Sequence, residues 1–132
     1  MIAEIDEAAI DALVRRFYAK VREDTVIGPV FNQAITDWEE HLVKLSAFWS
    51  SVMLTSGRYK GNPMSAHLRH PIEPAMFDHW LGLWGETARE IFEPDPAAQF
   101  EAKAARIAES LKLALFFRPA ALDPARPRVA DP

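Results

Sequence analysis

WEEHLVKLSAFWSSVML, residues 38–54, places Trp38, Leu42, Leu45, Phe48, Trp49 and Val52 on one stripe, with His41 set inside it. Spacings of three and four residues are those of one face of an amphipathic α-helix. Asp37 offers an N-cap, Thr36 and Glu39 a capping box, and Ser56-Gly57 a stop. A histidine on a helical face otherwise made of large apolar groups is the feature around which the rest of the chain is read.

Upstream, residues 6–23 repeat the helical pattern through Ile10, Leu13, Val14, Phe17 and Val21, and Tyr18 borders that stripe. Gly28-Pro29 ends the pattern, and residues 26–35 read as a turn and a short helix centred on Phe31. Downstream, GRYKGNPM (57–64) is a loop by its Gly, Asn and Pro content. A short segment, residues 65–69, carries His67 between Pro63 and Pro71; it is too short to hold as an independent helix, so something must order it. A third long helix opens at Pro74, with Phe77, Trp80, Leu81, Trp84, Ala88 and Ile91 on one face. A fourth runs from about Pro96 to Phe117, with Phe100, Ala104, Ile107, Leu111 and Leu115 aligned. The sequence contains no strand-like alternation of useful length and no repeat, so an all-α domain is expected over residues 1–118, followed by a disordered proline-rich tail at 119–132.

The 132 residues suit one domain large enough to bury a core without covalent staples. The chain has no cysteine, which excludes disulfides, thiolate zinc sites, iron–sulfur clusters and a thiol nucleophile. The net charge of −4, without a basic block, argues against nucleic acid. No apolar run is long enough to cross a membrane, and the acidic start MIAEIDEAAI lacks signal-peptide order, so a cytoplasmic protein is expected. The chain has four tryptophans and eight phenylalanines, and all four tryptophans and four of the phenylalanines lie between Phe17 and Trp84, which fits either a large aromatic core or a pocket walled by flat rings.

The histidines are His41, His67, His70 and His79. His79 precedes Trp80 and is expected to face solvent. His67 and His70 share a helical face, a weak metal signal with no carboxylate at tetrahedral spacing to complete it. His41 and His67 stand in apolar, ring-rich surroundings; two histidines across such a slot are what a haem requires, and on spacing alone this is one option among several. A cofactor-free helical interaction module whose aromatic stripes form a partner groove is a second.

Four blocks in order, FYAKVREDTVIGPVFNQAI (17–35), DWEEHLVKLSAFWSSVML (37–54), GRYKGNPMSAHLRHP (57–71) and FDHWLGLWGETAREIF (77–92), closely resemble the group III truncated haemoglobins. The resemblance covers residues 8–117. It implies a shortened globin fold, a two-over-two helical sandwich around haem b. It also implies His67 as the proximal iron ligand, and Tyr18, His41 and Trp80 as the distal groups that hold bound ligand, with His41 a candidate sixth ligand. The haem contacts it implies are Phe31, Leu45, Phe48, Trp49, Tyr59, Met64, Leu68 and Phe77. Arg58 and Arg69 are propionate candidates by charge alone; His70, which stands where the family commonly has leucine, is a further propionate candidate.

The function this implies is reversible binding of O₂, with NO and CO as further gaseous ligands, and polar stabilisation from the distal side. Tight O₂ binding suits chemistry such as NO detoxification (an NO dioxygenase reaction) or peroxidase-like turnover rather than transport. Either needs an external reductase, since the chain carries no GxGxxG or other nicotinamide or flavin motif. Whether the protein is an enzyme is left open by the sequence.

Overall fold

The computed structural model describes residues 1–61 and 73–116, excepting the side chains of Leu115 and Phe116. Among the described residues there are five helices: α1 (Glu7–Glu23), α2 (Gly28–Ala34), α3 (Trp38–Leu54), α4 (Pro74–Ile91) and α5 (Pro94–Phe116). The expected segment at 65–69, with His67, and the tail at 119–132 lie outside the described residues.

Helix boundaries follow local chemistry. Asp6 caps α1 by accepting from the Ala9 amide at 2.8 Å. Asp37 caps α3 by accepting from the Glu40 amide at 3.1 Å. The Thr36–Glu39 capping box does not form, because the Glu39 carboxylate is held by the fork of Arg15 on α1. Helix α3 stops at Leu54, earlier than Ser56-Gly57, because Thr55 already adopts the left-handed conformation, at φ 53°. Gly28-Pro29 does not merely end α1; it opens α2, with the proline in the first turn. A Cβ at Gly28 would come within 2.8 Å of the Val21 carbonyl, so glycine lets the start of α2 lie against the last turn of α1. Helix α5 begins at Pro94, two residues before the expected Pro96.

Helix α1 packs against α2, α3 and α4, and α4 packs along α5, to which the two-residue joint Phe92-Glu93 connects it. The α1/α3 pair and the α4/α5 pair are the two layers. The stripe read on α1 is the centre of the core: Ile10, Leu13, Val14, Phe17 and Val21 are essentially inaccessible to water, and they meet Trp49, Trp84, Phe92, Phe100 and Ala104. Each such side chain contributes about 1.5–3 kcal/mol relative to exposure. Phe77, Ala108 and Leu111 form a smaller cluster between α4 and α5.

One element had no counterpart in the sequence reading. Ile2 bridges to Phe92: its amide donates to the Ile91 carbonyl, and its carbonyl accepts from the Glu93 amide, both at 2.9 Å. The N-terminus is thereby tied to the α4–α5 joint. The expected solvation of His79 is also corrected. Its Nε2 lies 2.8 Å from Asp24 Oδ2, and the ring is half-buried. Helix α4 crosses the end of α1, where Asp24 Oδ1 already accepts from the Val26 and Ile27 amides, so the face opposite the tryptophans meets a carboxylate as well as water.

Candidate functional site

The site is built around Tyr18. It sits one residue after the core residue Phe17 and is itself only 4% exposed. Its ring meets Phe17 edge-on at 4.7 Å, Phe31 of α2 at 5.8 Å and His41 of α3 at 6.0 Å, and it lies tilted to Trp38 at 6.1 Å. Burial pushes the Tyr18 hydroxyl well above the ordinary tyrosine range, and the nearby Trp80 indole of α4 partly offsets this. An indole nitrogen can only donate, so towards the Tyr18 oxygen Trp80 can act only as a donor.

His41 stands edge-on to both Tyr18 and Trp38, the latter at 5.7 Å, and its Nε2 is enclosed from solvent. Trp38 is in turn covered by the Arg22 guanidinium, 4.7 Å above its ring. Arg22 follows Tyr18 by four residues on the same helix face. Neither Arg22 nor Trp38 was expected at the site, although both are signalled by spacing, Arg22 from Tyr18 and Trp38 from His41.

Helix α3 presents two faces. Ser46, Trp49 and Ser50 are buried. About a third of a turn round the helix, at about 3.6 residues per turn, His41, Leu45, Phe48 and Val52 form a second stripe that stays half-buried. Tyr59 packs edge-on against Phe48 at 5.2 Å, and a Cβ at Gly61 would come within 2.5 Å of its hydroxyl, so glycine there leaves room for the phenol. Burial raises the Tyr59 hydroxyl above its usual range.

The other expected positions are distributed as follows. Phe31 and Leu45 are half-buried beside the core. Trp49 is a layer further in, 2% exposed and stacked on Trp84 at 4.6 Å. Phe77 lies in the α4–α5 cluster. Arg58 is ion-paired to Glu7 at the start of α1, whose carboxylate also accepts from the buried Ser50. His67, Met64, Leu68, Arg69 and His70 lie outside the described residues. Among the described residues no group of His, Cys, Asp or Glu could hold a metal ion.

The residues present fit a haem. An aliphatic and aromatic stripe, half-buried along α3, suits a flat apolar ring. Beside it the Tyr18 ring of α1 stands edge-on to the His41 imidazole of α3, and the Trp80 indole of α4 lies near the Tyr18 hydroxyl.

Residues 5–112 match the family model for bacterial-like globin. The chain belongs to the globins. It is 36% identical over 96 residues to a group 3 truncated hemoglobin of Campylobacter jejuni, a match covering 69% of this chain and 76% of that one. The crystal structure of the group III truncated hemoglobin from Campylobacter jejuni superimposes with a TM-score of 0.83 at 33% identity, covering 89% of this globin and 97% of the other chain. The fold is thus the shortened, two-over-two globin sandwich, and family membership carries haem-based binding of gaseous ligands. That membership favours the haem protein over a cofactor-free interaction module. No helix of the described residues is long and apolar enough to cross a membrane.

Proposed function

We propose that this globin binds haem b through His67 and uses Tyr18, Trp80 and His41 to hold O₂, with NO and CO as further ligands. When bound, the haem supplies an iron that takes a diatomic gas in a dry pocket. The observation that carries the reading is the enclosure of Tyr18, 4% exposed and edge-on to both Phe31 and His41. Its phenol has a single proton to give in that ring-walled pocket, and the Nε2 of His41 is enclosed from solvent beside it. Tyr18 donates to whichever ligand atom gathers negative charge, and Trp80 is the second donor. Leu45 and Phe48 keep water from competing for that proton. Residues 1–118 are taken as the globin domain and 119–132 as a proline-rich tail; Arg69 and His70 are taken as propionate partners. Strong retention of O₂ suits NO detoxification or peroxidase-like turnover, with electrons from an external reductase.

The test is stopped-flow O₂ dissociation. A hydrogen bond in a dry pocket contributes about 1–3 kcal/mol, so Tyr18→Phe is expected to release O₂ roughly ten- to a hundredfold faster. Trp80→Phe is expected to show a smaller acceleration, because it removes the second donor. Unchanged rates in both variants would remove the distal-donor assignment.

A further inference from the structure

Arg22 is held differently from the arginines around it. Arg15, Arg16, Arg58 and Arg89 each pair with a carboxylate. Arg22 is followed by Glu23, yet its guanidinium lies 4.7 Å over the Trp38 ring, and among the described residues it has no carboxylate partner. Its mount is firm. The Arg22 carbonyl accepts from the Asn32 side chain of α2 at 3.0 Å, and a Cβ at Gly28 would lie 3.2 Å from the same oxygen. Trp38 is mounted more loosely. It is the first residue of α3, after the extended backbone of Asp37, and the amides of a first turn lack intrahelical partners. Helix ends open at lower cost than helix middles.

Trp38 is also the outer member of the ring cluster around Tyr18. It lies tilted to Tyr18 at 6.1 Å and edge-on to His41 at 5.7 Å. Burial falls off in one direction: Tyr18 is buried, Trp38 and the His41 ring are half-buried, and Arg22 is exposed. From the phenol outward the order is therefore His41 and Trp38, then Arg22, then water. The other rings near Tyr18 are less able to give way. Phe17 is wholly buried in the core, Trp80 is stacked on the buried Trp84 at 5.4 Å, and Phe31 adjoins the Asn32 that ties α2 to α1. A ring at the end of a helix, with a cation resting on it, is thus the movable part of the wall.

We propose that Trp38 is the door through which a diatomic ligand reaches the Tyr18 pocket, and that Arg22 latches it shut. This rests on the haem reading above and adds the residues that set how fast ligand enters and leaves. A guanidinium over an indole is held by the negative face of the ring, and the contact is lost when the ring swings out. The latch therefore raises the barrier to opening. Because Arg22 touches no ligand, it raises that barrier equally for entry and for escape, and the affinity stays as it is. A donor such as Tyr18 has a different kinetic signature, since it slows escape and strengthens binding.

The experiment uses the haem-loaded full-length chain, with loading confirmed by its Soret band. Laser photolysis of the CO complex gives CO association from the phase that depends on CO concentration, which separates ligand entry from any return of His41 to the iron. Displacement of CO by NO gives dissociation. Arg22 is exposed, so its replacement spares the core. Arg22→Met keeps an apolar stem over the ring but removes the cation, and is expected to raise both rates about two- to fivefold with CO affinity unchanged. Arg22→Lys, which keeps a cation, is expected to stay near the unaltered rates. Trp38→Leu is expected to raise both rates further, and adding Arg22→Met to it to change nothing more, because the latch then has no ring to hold. Unaltered rates in Arg22→Met, a change in dissociation alone, or an Arg22 effect that persists at full size in Trp38→Leu overturns the latch and leaves the haem reading standing. A chain that takes up no haem overturns both.

Discussion

At the scale of single residues, the account turns on which atoms can donate. Periodicity put Tyr18 at the border of one apolar stripe and Trp80 within another, and only the family resemblance paired them; the structure adds the rings of Phe31, Trp38 and His41 around Tyr18. The enclosed His41 belongs to the same group through its edge contacts with Tyr18 and Trp38. On the proposed haem reading, its imidazole is the candidate for the sixth ligand when no gas is present. The ferrous, ligand-free protein is therefore expected to give a six-coordinate low-spin optical spectrum, and His41→Ala a five-coordinate high-spin one. A five-coordinate spectrum in the unaltered chain confines His41 to hydrogen bonding and steric control of the pocket. What the sequence could not convey at this scale is what an exposed-looking position meets in space. Nothing in the order of residues around His79 indicates that Asp24, at the end of a different helix, waits opposite it.

At the scale of elements, that contact predicts a pH effect. Burial works to raise the Asp24 carboxyl, but hydrogen bonds from His79, Ile27 and Val26 outweigh it and hold the group below its ordinary value. A carboxyl depressed in the folded state adds stability that is fully present above its unfolded value of about 3.9, and that stability is lost as pH falls through the lower, folded value. Two other carboxylates are lowered as well, Glu39 by its hydrogen bonds with Arg15 and Glu90 by those with Lys20 and Arg16. Both lie on exposed ion pairs, which salt screens and which contribute little. Thermal melts in moderate salt are therefore expected to show Asp24→Asn less stable at neutral pH and with a flatter decline below about pH 4. Identical pH profiles for the variant and the unaltered chain would exclude Asp24 as the clamp between the α1–α2 turn and α4. Element boundaries themselves were legible to within a few residues, because caps and prolines are local signals. The exceptions, the missing capping box and the early stop at Thr55, arise where Arg15 or a left-handed backbone takes precedence over the local pattern.

At the scale of the whole molecule, the stripes on α1, α3, α4 and α5 identified the core faces, and the ordered blocks across residues 17–92 identified the family. The tryptophan stack was not legible, since periodicity assigns Trp49, Trp80 and Trp84 to buried faces without saying that their rings overlap across two layers. Nor was the Ile2–Phe92 bridge, which depends on where the chain's start happens to meet the α4–α5 joint. The claim that joins these scales is that His67 provides the bond by which the sandwich holds its haem. Hemin titration of the unaltered chain and of His67→Gly, followed in the Soret region and then after reduction and addition of CO, tests it directly. One equivalent bound with a histidine-ligated spectrum in the unaltered chain, and weak binding without that spectrum in His67→Gly, is the expected result. An unaltered proximal signature in His67→Gly would contradict the account.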